Sequence, residues 1–471
     1  MTTGVLQAES NLVRYVSDDV KTAYEALSAK GPVYDLLWRY YEGDQPIRYS
    51  TQRLVEIFRD LKARFTENWC SAVIHACTDR LNLTGFTVAD DEASTARMAE
   101  LFDRTELGLE SDDVLLALLV CGEAFMIVWP SDGPVVGGQR GIDAYYNDPR
   151  LVHVQYDPDR PREVAWAAKW WVSSDERLKM TLYYPDHLEY YGTVQKAENV
   201  SGPEAFEMIA PNQRNPYGQV PVFHFKLSRT GSGSGSELRD VLPLQDAVNK
   251  LFSDMMVAAE FGAFRQRWVI SNADTSRLKN APNKIWEVPA GDGLGQASQV
   301  GEFSQTDLGV YLQAMDRLSS VIAIITRTPK HYLFQQGGDP SGEALMAMEA
   351  PLIRKVQRYM ERVSSVWKRV VSFMLLIDGK VIDRDSIIPQ WDSVESLQPL
   401  TEVQVATLKL GVGVSKRQVL RELGYTEDQI EEIEEDRAEE GASFGTELLT
   451  AWEQGRGGMG AFSGEPSVSE G

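Results

Sequence analysis

The stretch VLPLQDAVNKLFSDM, Val241–Met255, decides how the chain is read. Its apolar residues Val241, Leu244, Val248, Leu251 and Met255 follow a 3,4,3,4 spacing, a narrow seam that suits a helix packed against other helices. Continued to Phe264, this helix is about 36 Å long at 1.5 Å per residue. A compact insert follows, with strand candidates at Arg267–Ile270 and Lys284–Val288 and a glycine-rich turn at Gly291–Gly295. The helical period then returns from Asp307 to Thr326, with Leu308, Tyr311, Met315, Leu318, Ile322 and Ile325 on one face. Two amphipathic helices therefore bracket a small module.

Toward the C-terminus, Thr328-Pro329 ends the second helix, because proline disfavours helical geometry in the residue before it. A loop from Lys330 to Gly338 follows, and Asp339-Pro340 supplies an N-cap and a first-turn proline. The next helix runs from Glu343 to Ile377, about 50 Å, with Leu345, Met348, Leu352, Val356, Tyr359, Val363, Val370 and Ile377 on one face. Pro351 is expected to kink it. Two capping boxes, Ser415 with Gln418 and Thr426 with Gln429, each with a hydrophobic staple, start two short helices. The final 30 or so residues are rich in glycine, serine and glutamate and read as a mobile tail.

On the N-terminal side, Gly231–Ser236 is a GSGSGS connector. Before it, from about Asp143 to Leu227, the period is that of strands: Val164, Trp166, Ala168 and Trp170 alternate with Ala165, Ala167 and Lys169. Ser173–Glu176 reads as a hairpin turn into Met180–Tyr184, with further strands at Leu188–Tyr191 and Val222–Leu227. The first third reads as helical, with Leu54, Ile57, Phe58 and Leu61, and then Trp69, Val73, Ala76 and Cys77, at helical spacing. Ser111 is placed to cap a helix that stops near Gly122, and Phe125–Trp129 continues as a strand. No internal repeat is evident.

The chain has 471 residues, enough for roughly three domains. Its net charge of −22 argues against gripping nucleic acid by overall charge. Three cysteines, Cys70, Cys77 and Cys121, are too few for a disulfide framework and suggest a reducing interior. Neither a signal peptide nor a membrane span is expected. Charge is unevenly spread. Residues 427–440 hold nine acids and one arginine, a local balance of −8. Over residues 265–284 of the bracketed module, Arg265, Arg267, Arg277, Lys279 and Lys284 stand against Asp274, a balance of +4. On the long helix, Arg354, Arg358, Arg362 and Arg369 fall together opposite the apolar face.

Catalytic and cofactor motifs are not persuasive. GSGSGS is followed by no Gly-Lys-Ser/Thr and is no phosphate loop, and its Gly-x-Ser-x-Gly lacks a strand–turn–helix setting. Cys70 and Cys77 share a helix face while His75 points away, and no fourth ligand presents itself, so core cysteines and a partly buried histidine are expected rather than a metal site. Pro158-Asp159 and Pro185-Asp186 lack the acid-x-lysine pair of a nuclease. We therefore expect no enzyme activity, no metal and no cofactor.

Seven segments in order carry a family resemblance. They are Tyr40–Gly43, Asn68-Trp69 through Arg80-Leu81 to Gly85-Phe86, Asn215–Pro221, Ser236–Leu238, Leu244–Lys250, Thr328–Leu333 and Pro340–Leu345. Together they resemble the portal proteins (head–tail connectors) of tailed double-stranded DNA bacteriophages, in particular long-tailed actinobacterial phages, over about residues 40–440. The resemblance implies an α+β, predominantly helical portal-type fold. Residues 1–235 would be the wing, 241–264 and 307–327 the stem, 265–306 a small α/β clip and 329–341 a tunnel loop. Residues 342–399 would be the kinked helix and wing return, 400–440 a helical crown and 441–471 a flexible tail. It also implies a homo-oligomeric ring, usually a dodecamer, at one capsid vertex of the virion, made in the host cytoplasm. Its partners would be terminase, a head–tail adaptor, the major capsid and scaffolding proteins, and double-stranded DNA passing through the channel for packaging and ejection. Lys330, His331, Gln335 and Gln336 would face the DNA from the tunnel loop, and Arg265, Arg267, Arg277, Lys279 and Lys284 would form a docking patch on the clip. The competing expectations are a capsid-associated adaptor without a channel, and a nuclease or terminase component.

Overall fold

The computed structural model describes residues 17–45, 66–131, 141–227, 235–263, 267–270, 299–302, 307–333, 341–394, 406–422, 430 and 433. Short polar side chains start the early helices. Ser17 accepts from the Asp19 amide at the head of α1 (Asp18–Tyr41), Asn68 from Ser71 N at α2 (Trp69–Thr78), and Asp91 from Ser94 N at α3 (Glu92–Arg104). Helix α4 (Leu107–Cys121) departs from the sequence reading at its start. Ser111 is not its cap but lies one turn inside, buried, with Oγ donating to the Gly108 carbonyl at 2.7 Å. Its end is as expected, at Gly122 with φ +87°. Glycine is required there twice over, by that positive φ and because an added Cβ would stand 2.4 Å from the Gly235 nitrogen.

Twelve strands are described: β1 (Leu83–Val88), β2 (Glu123–Pro130), β3 (Ile142–Asn147), β4 (Val152–Tyr156), β5 (Val164–Val172), β6 (Arg177–Tyr183), β7 (His187–Lys196), β8 (Phe206–Arg214), β9 (Val222–Lys226), β10 (Arg267–Ile270), β11 (Gln299–Glu302) and β12 (Ile387–Trp391). They pair antiparallel in sheets ordered β1-β12, β10-β11, β3-β2-β9 and β4-β5-β6-β7-β8. The fold is mixed α+β.

Strand β2 shows how the layers stack. Its side chains alternate between two cores: Ala124, Met126 and Val128 enter the main helical core, while Phe125 and Ile127 meet Val152, Val154, Ala167, Tyr183 and Leu188 of the five-stranded sheet. The far face of that sheet, Trp166, Ala168, Met180, Leu182, Tyr191 and Phe206, is covered by Val20, Ala23 and Leu27 of α1. The alternation read in β5 is therefore real, but both of its faces are covered.

The main core gathers α2–α4, α5 (Leu242–Ala263), α6 (Gly309–Thr326) and α7 (Gly342–Ile377), with Trp367 of α7 fully buried against Phe86 and Phe225. Helix α7 runs unbroken through Pro351, and its N-cap is Ser341, which accepts from Ala344 N, not Asp339. At its other end Asp378 holds Arg97 of α3 with two 3.0 Å hydrogen bonds, both side chains buried.

Other expectations need correction. In α5, Val241 before its first residue and Val248 are fully buried, but Leu244, Leu251 and Met255 are only partly so. A polar stripe, Gln245, Asn249 and Ser253, is buried alongside them. Gln245 accepts from Trp69 N at 2.9 Å and donates to the Glu67 carbonyl at 2.6 Å, and Asn249 accepts from Glu67 N, so side chains replace backbone partners at the entry to α2. In α6, Met315 and Ile322 are buried while Ile325 is exposed. His75 is exposed, hydrogen-bonded to the Tyr41 hydroxyl at 3.0 Å. Strand β10 lies where expected, and its partner is β11, which carries no strong strand signal. Leu54–Leu61, Gly231–Ser234, Lys284–Val288, Gly291–Gly295, the second capping box and residues 441–471 lie outside the described residues.

Residues Glu395–Gly471 form a separate unit. There residues 406–411 are helical, and α8 (Lys416–Glu422) starts as read, with Ser415 Oγ accepting from Gln418 N at 3.3 Å and Val419 buried.

Candidate functional site

Buried charged and polar contacts converge where α6 gives way to the loop at 329–341. Thr326 turns its hydroxyl back to the Ile322 carbonyl at 2.7 Å, and Arg327 adopts φ +58°, ending the helix. Pro329 leads into a single 3-10 turn, Lys330–Tyr332. Lys330 folds back onto α6 and pairs with Asp316 at 2.7 Å. His331 sits edge-on to Tyr332, and its Nδ1 is buried with no hydrogen-bond partner among the described residues.

Tyr332 is the centre of the junction. Its hydroxyl accepts from Arg80 Nη2 at 2.8 Å and donates to Glu349 Oε1 at 2.9 Å, while Arg80 and Glu349 approach to 3.4 Å. Burial raises the phenol above its ordinary pKa, so it stays protonated and able to donate. Three elements meet in this triad: the segment after α2, the turn that opens the loop, and the first turns of α7. Tyr332 and Leu333 both pack against the main core.

A second clamp holds the other side. Lys355, buried on α7, donates to the Thr326 carbonyl at 2.6 Å and to Glu237 Oε2 at 3.0 Å, and Tyr359 donates to the other Glu237 oxygen. Burial opposes the lysine charge, but the Cys77 sulfur and the Glu237 carboxylate together outweigh it and raise the Lys355 pKa. The loop therefore leaves one helix whose last carbonyls are held and enters another anchored on both sides of Pro351. Such a junction can present a short loop at a fixed position.

The description "Phage portal protein, SPP1 Gp6-like" matches residues 25–443. The chain belongs to this family of portal proteins. The portal protein of Mycobacterium phage L5 is 28% identical over 396 residues, covering 80% of this chain and 79% of that protein. The portal protein of Mycobacterium phage D29 is 27% identical over 160 residues, 32% of each chain. A solved structure titled "Neck of native GTA particle computed with C12 symmetry" superposes with a TM-score of 0.43 at 13% identity, covering 80% of this chain and 95% of that one. That superposition is too loose to bear on the fold.

Of the portal residues expected to face DNA, Lys330 and His331 are thus held at the loop base, and Gln335 and Gln336 lie outside the described residues. Of the expected clip patch, Arg267 on β10 pairs with Glu302 on β11 at 3.3 Å, and with Glu287, Asp292 and Glu302 counted the whole module carries only +1. Arg265, Arg277, Lys279 and Lys284 lie outside the described residues. Among the described residues no group of three His, Cys, Asp or Glu is placed to hold a metal ion, and no helix is long and apolar enough to cross a membrane. Burial pushes the Cys77 thiol up to about 11 and raises Cys70 and Cys121 as well.

Sequence reasoning missed Arg80, Glu237, Glu349 and Lys355. One signal was available: Lys355 falls between Leu352 and Val356 on the apolar stripe of α7, where an unpaired charge is costly. Its partners, 118 positions away at Glu237 and 29 at Thr326, leave no local trace.

Another buried charge cluster lies apart from this junction. Glu123 on β2 receives Lys30 Nζ at 3.1 Å, the Tyr34 hydroxyl at 2.7 Å and His224 Nε2 at 2.8 Å, while Tyr156 donates to His224 Nδ1 at 3.1 Å. Every member is satisfied, and the network ties α1 to the β2-β9 pair.

Proposed function

We propose that this portal protein assembles as a closed ring, with twelve copies the expected number, at one vertex of the capsid. Through its channel double-stranded DNA is packaged and later ejected. Residues 1–235 and 342–399 serve as the wing, 241–264 and 307–327 as stem, 265–306 as clip, 329–341 as tunnel loop and 400–440 as crown. Terminase and then the head–tail adaptor dock on the clip, and capsid and scaffolding proteins meet the wing. The role is structural and non-catalytic.

The observation that carries this reading is the α5–α6 pair. It buries Val248, Met315 and Ile322 against the rest of its own chain but leaves Val310, Ile324 and Ile325 exposed on the outer side of α6. Exposed apolar side chains on a packed helix are the kind of surface that a neighbouring subunit covers. A head-to-tail contact of this type leaves no free surface only when the ring closes. The clamped junction supports it further, since a loop that meets moving DNA needs a fixed base.

The test is electron microscopy and mass measurement of the full-length protein. Rings with a central hole are expected. A monomer or small oligomer at every concentration and salt would favour an adaptor without a channel and overturn the proposal.

A further inference from the structure

Most cations that this fold draws inward meet a carboxylate: Lys30 meets Glu123, Arg80 Glu349, Arg97 Asp378 and Lys355 Glu237. The outward side of α7 breaks that pattern. Arg354, Arg358, Arg362 and Arg369 fall within an arc of about 80° at 100° per residue, with Lys368 on its flank. Arg362 donates to the Leu227 carbonyl, Arg369 is half-buried beside Tyr156 and Arg384, and Lys226 stands 4.1 Å above the Tyr156 ring. Arg354 and Arg358 are exposed. Glu343 and Glu361 are the acids at this angle of α7, against five cations. No carboxylate forms an ion pair with any of these seven cations among the described residues.

Half-burying a guanidinium without a counter-ion is unfavourable. In a chain of net charge −22, an unmatched basic face is an exception that calls for an acidic partner. The chain itself carries the reverse imbalance elsewhere. Asp79, Asp112 and Asp113 line a cavity of about 550 Å³ with Tyr41, His75 and Asn82, and none of the three aspartates is in an ion pair among the described residues. One face short of acids and another short of cations is the arrangement a head-to-tail contact between copies requires.

We propose that the basic face of α7 docks on a second copy of this chain, with Arg354 and Arg358 meeting the Asp112–Asp113 side of the neighbour's cavity. This rests on the ring reading above and adds the charge contact that sets the register between neighbours. Ring formation then weakens as salt rises, because partly exposed pairs are screened.

The test is charge reversal in the full-length protein, with assembly followed by mass photometry and folding by circular dichroism. Arg354→Glu with Arg358→Glu should raise the concentration needed for rings by about tenfold or more, as should Asp112→Lys with Asp113→Lys. All four are exposed, so each double variant should melt like wild type. The quadruple variant, with both faces reversed, should regain rings. Rings from either double variant at the wild-type concentration, or a quadruple variant no better than the doubles, would overturn the pairing. So would unchanged rings with lost binding of a 30-base-pair duplex, which would assign the face to nucleic acid. Wild-type protein that never forms rings sinks the ring reading along with this contact, whereas rings from the Arg354/Arg358 variant sink this contact alone.

Discussion

Arg80 and Tyr332 stand 252 positions apart in the chain and are joined by a 2.8 Å hydrogen bond. The guanidinium also lies 5.7 Å from the Tyr332 ring centroid, so it holds the side chain by face and by hydroxyl. Tyr332→Phe keeps the ring and removes the hydroxyl, and should cost about 1 kcal/mol. Arg80→Ala should cost more, about 2 kcal/mol, because it also leaves Glu349 unpaired. In a double-mutant cycle by urea unfolding the two should be non-additive, whereas additive losses would show the contact is not formed in solution. Particles carrying either change should assemble yet package or retain less DNA.

Lys355 gives a larger effect. Lys355→Ala leaves Glu237 and the Thr326 carbonyl without their cation, and a loss of about 3–5 kcal/mol is expected. Lys355→Met, which fills the space without a charge, should cost less. Because the lysine pKa is raised in the fold, its contribution is complete below the ordinary lysine range, near 10.4, and is lost as pH rises through the higher folded value. Wild-type stability should therefore fall in strong alkali more steeply than that of Lys355→Met, as denaturant titrations at pH 9 to 11.5 would show.

Much of this architecture was readable because it is local. The 3,4 spacing in α5 and α6, the alternation in β5 and Gly122 at the end of α4 all depend on neighbours within a few residues. What escaped depends on partners far along the chain. The β1-β12 pair joins Leu83–Val88 to Ile387–Trp391, two short runs that become a sheet only on meeting. Gln245 and Asn249 are buried because they satisfy the backbone at Glu67 and Trp69, and nothing beside them in sequence announces it. The end of α6 was legible from Thr328-Pro329, but the anchors of the turn that follows were not, since Arg80, Glu237 and Glu349 look like ordinary surface charges.

Acid should act through the cluster at β2. Burial pushes His224 down to about 4 despite the pull of Glu123, and His153 down to about 4 with help from Lys30. Unfolded, each takes up a proton near pH 6.5, so between about 6.5 and 4 the unfolded chain binds more protons and stability falls as pH falls. For Glu123 burial works upward, but the His224 hydrogen bond and Lys30 outweigh it and hold the carboxyl well below its ordinary range. Its contribution is thus complete above about pH 4.5 and lost below. His224→Gln should flatten the slope of unfolding free energy between pH 6.5 and 4.5 by up to about 1.4 kcal/mol per pH unit. An unchanged slope would mean that His224 is not buried as described.

Gly122→Ala should be among the most damaging single-methyl additions. It forces a side chain into φ +87° and drives a Cβ against the backbone at Gly235 and Ser236. A loss of about 3 kcal/mol or more is expected, with Gly218→Ala, also at positive φ but with open space around it, costing only about 1 kcal/mol. Equal melting temperatures for the two variants would refute the close approach.

The closure of Arg97 on Asp378 bears on when this protein can fold at all. The pair is 281 positions apart, and the helix that ends at Asp378 also supplies Trp367 to the centre of the main core. At about 5–20 residues per second, a ribosome spends roughly 20–75 s building the first 377 residues before that helix is complete. Throughout that interval Phe86 and Phe225 lack the Trp367 ring that packs on both, while the five-stranded sheet with Val20, Ala23 and Leu27 has all its parts by residue 214. The nascent chain thus carries a finished sheet layer joined to an open apolar one. Truncation before residue 367 should yield aggregates rather than a smaller soluble fold, and nascent-chain proteolysis should find the sheet layer protected first.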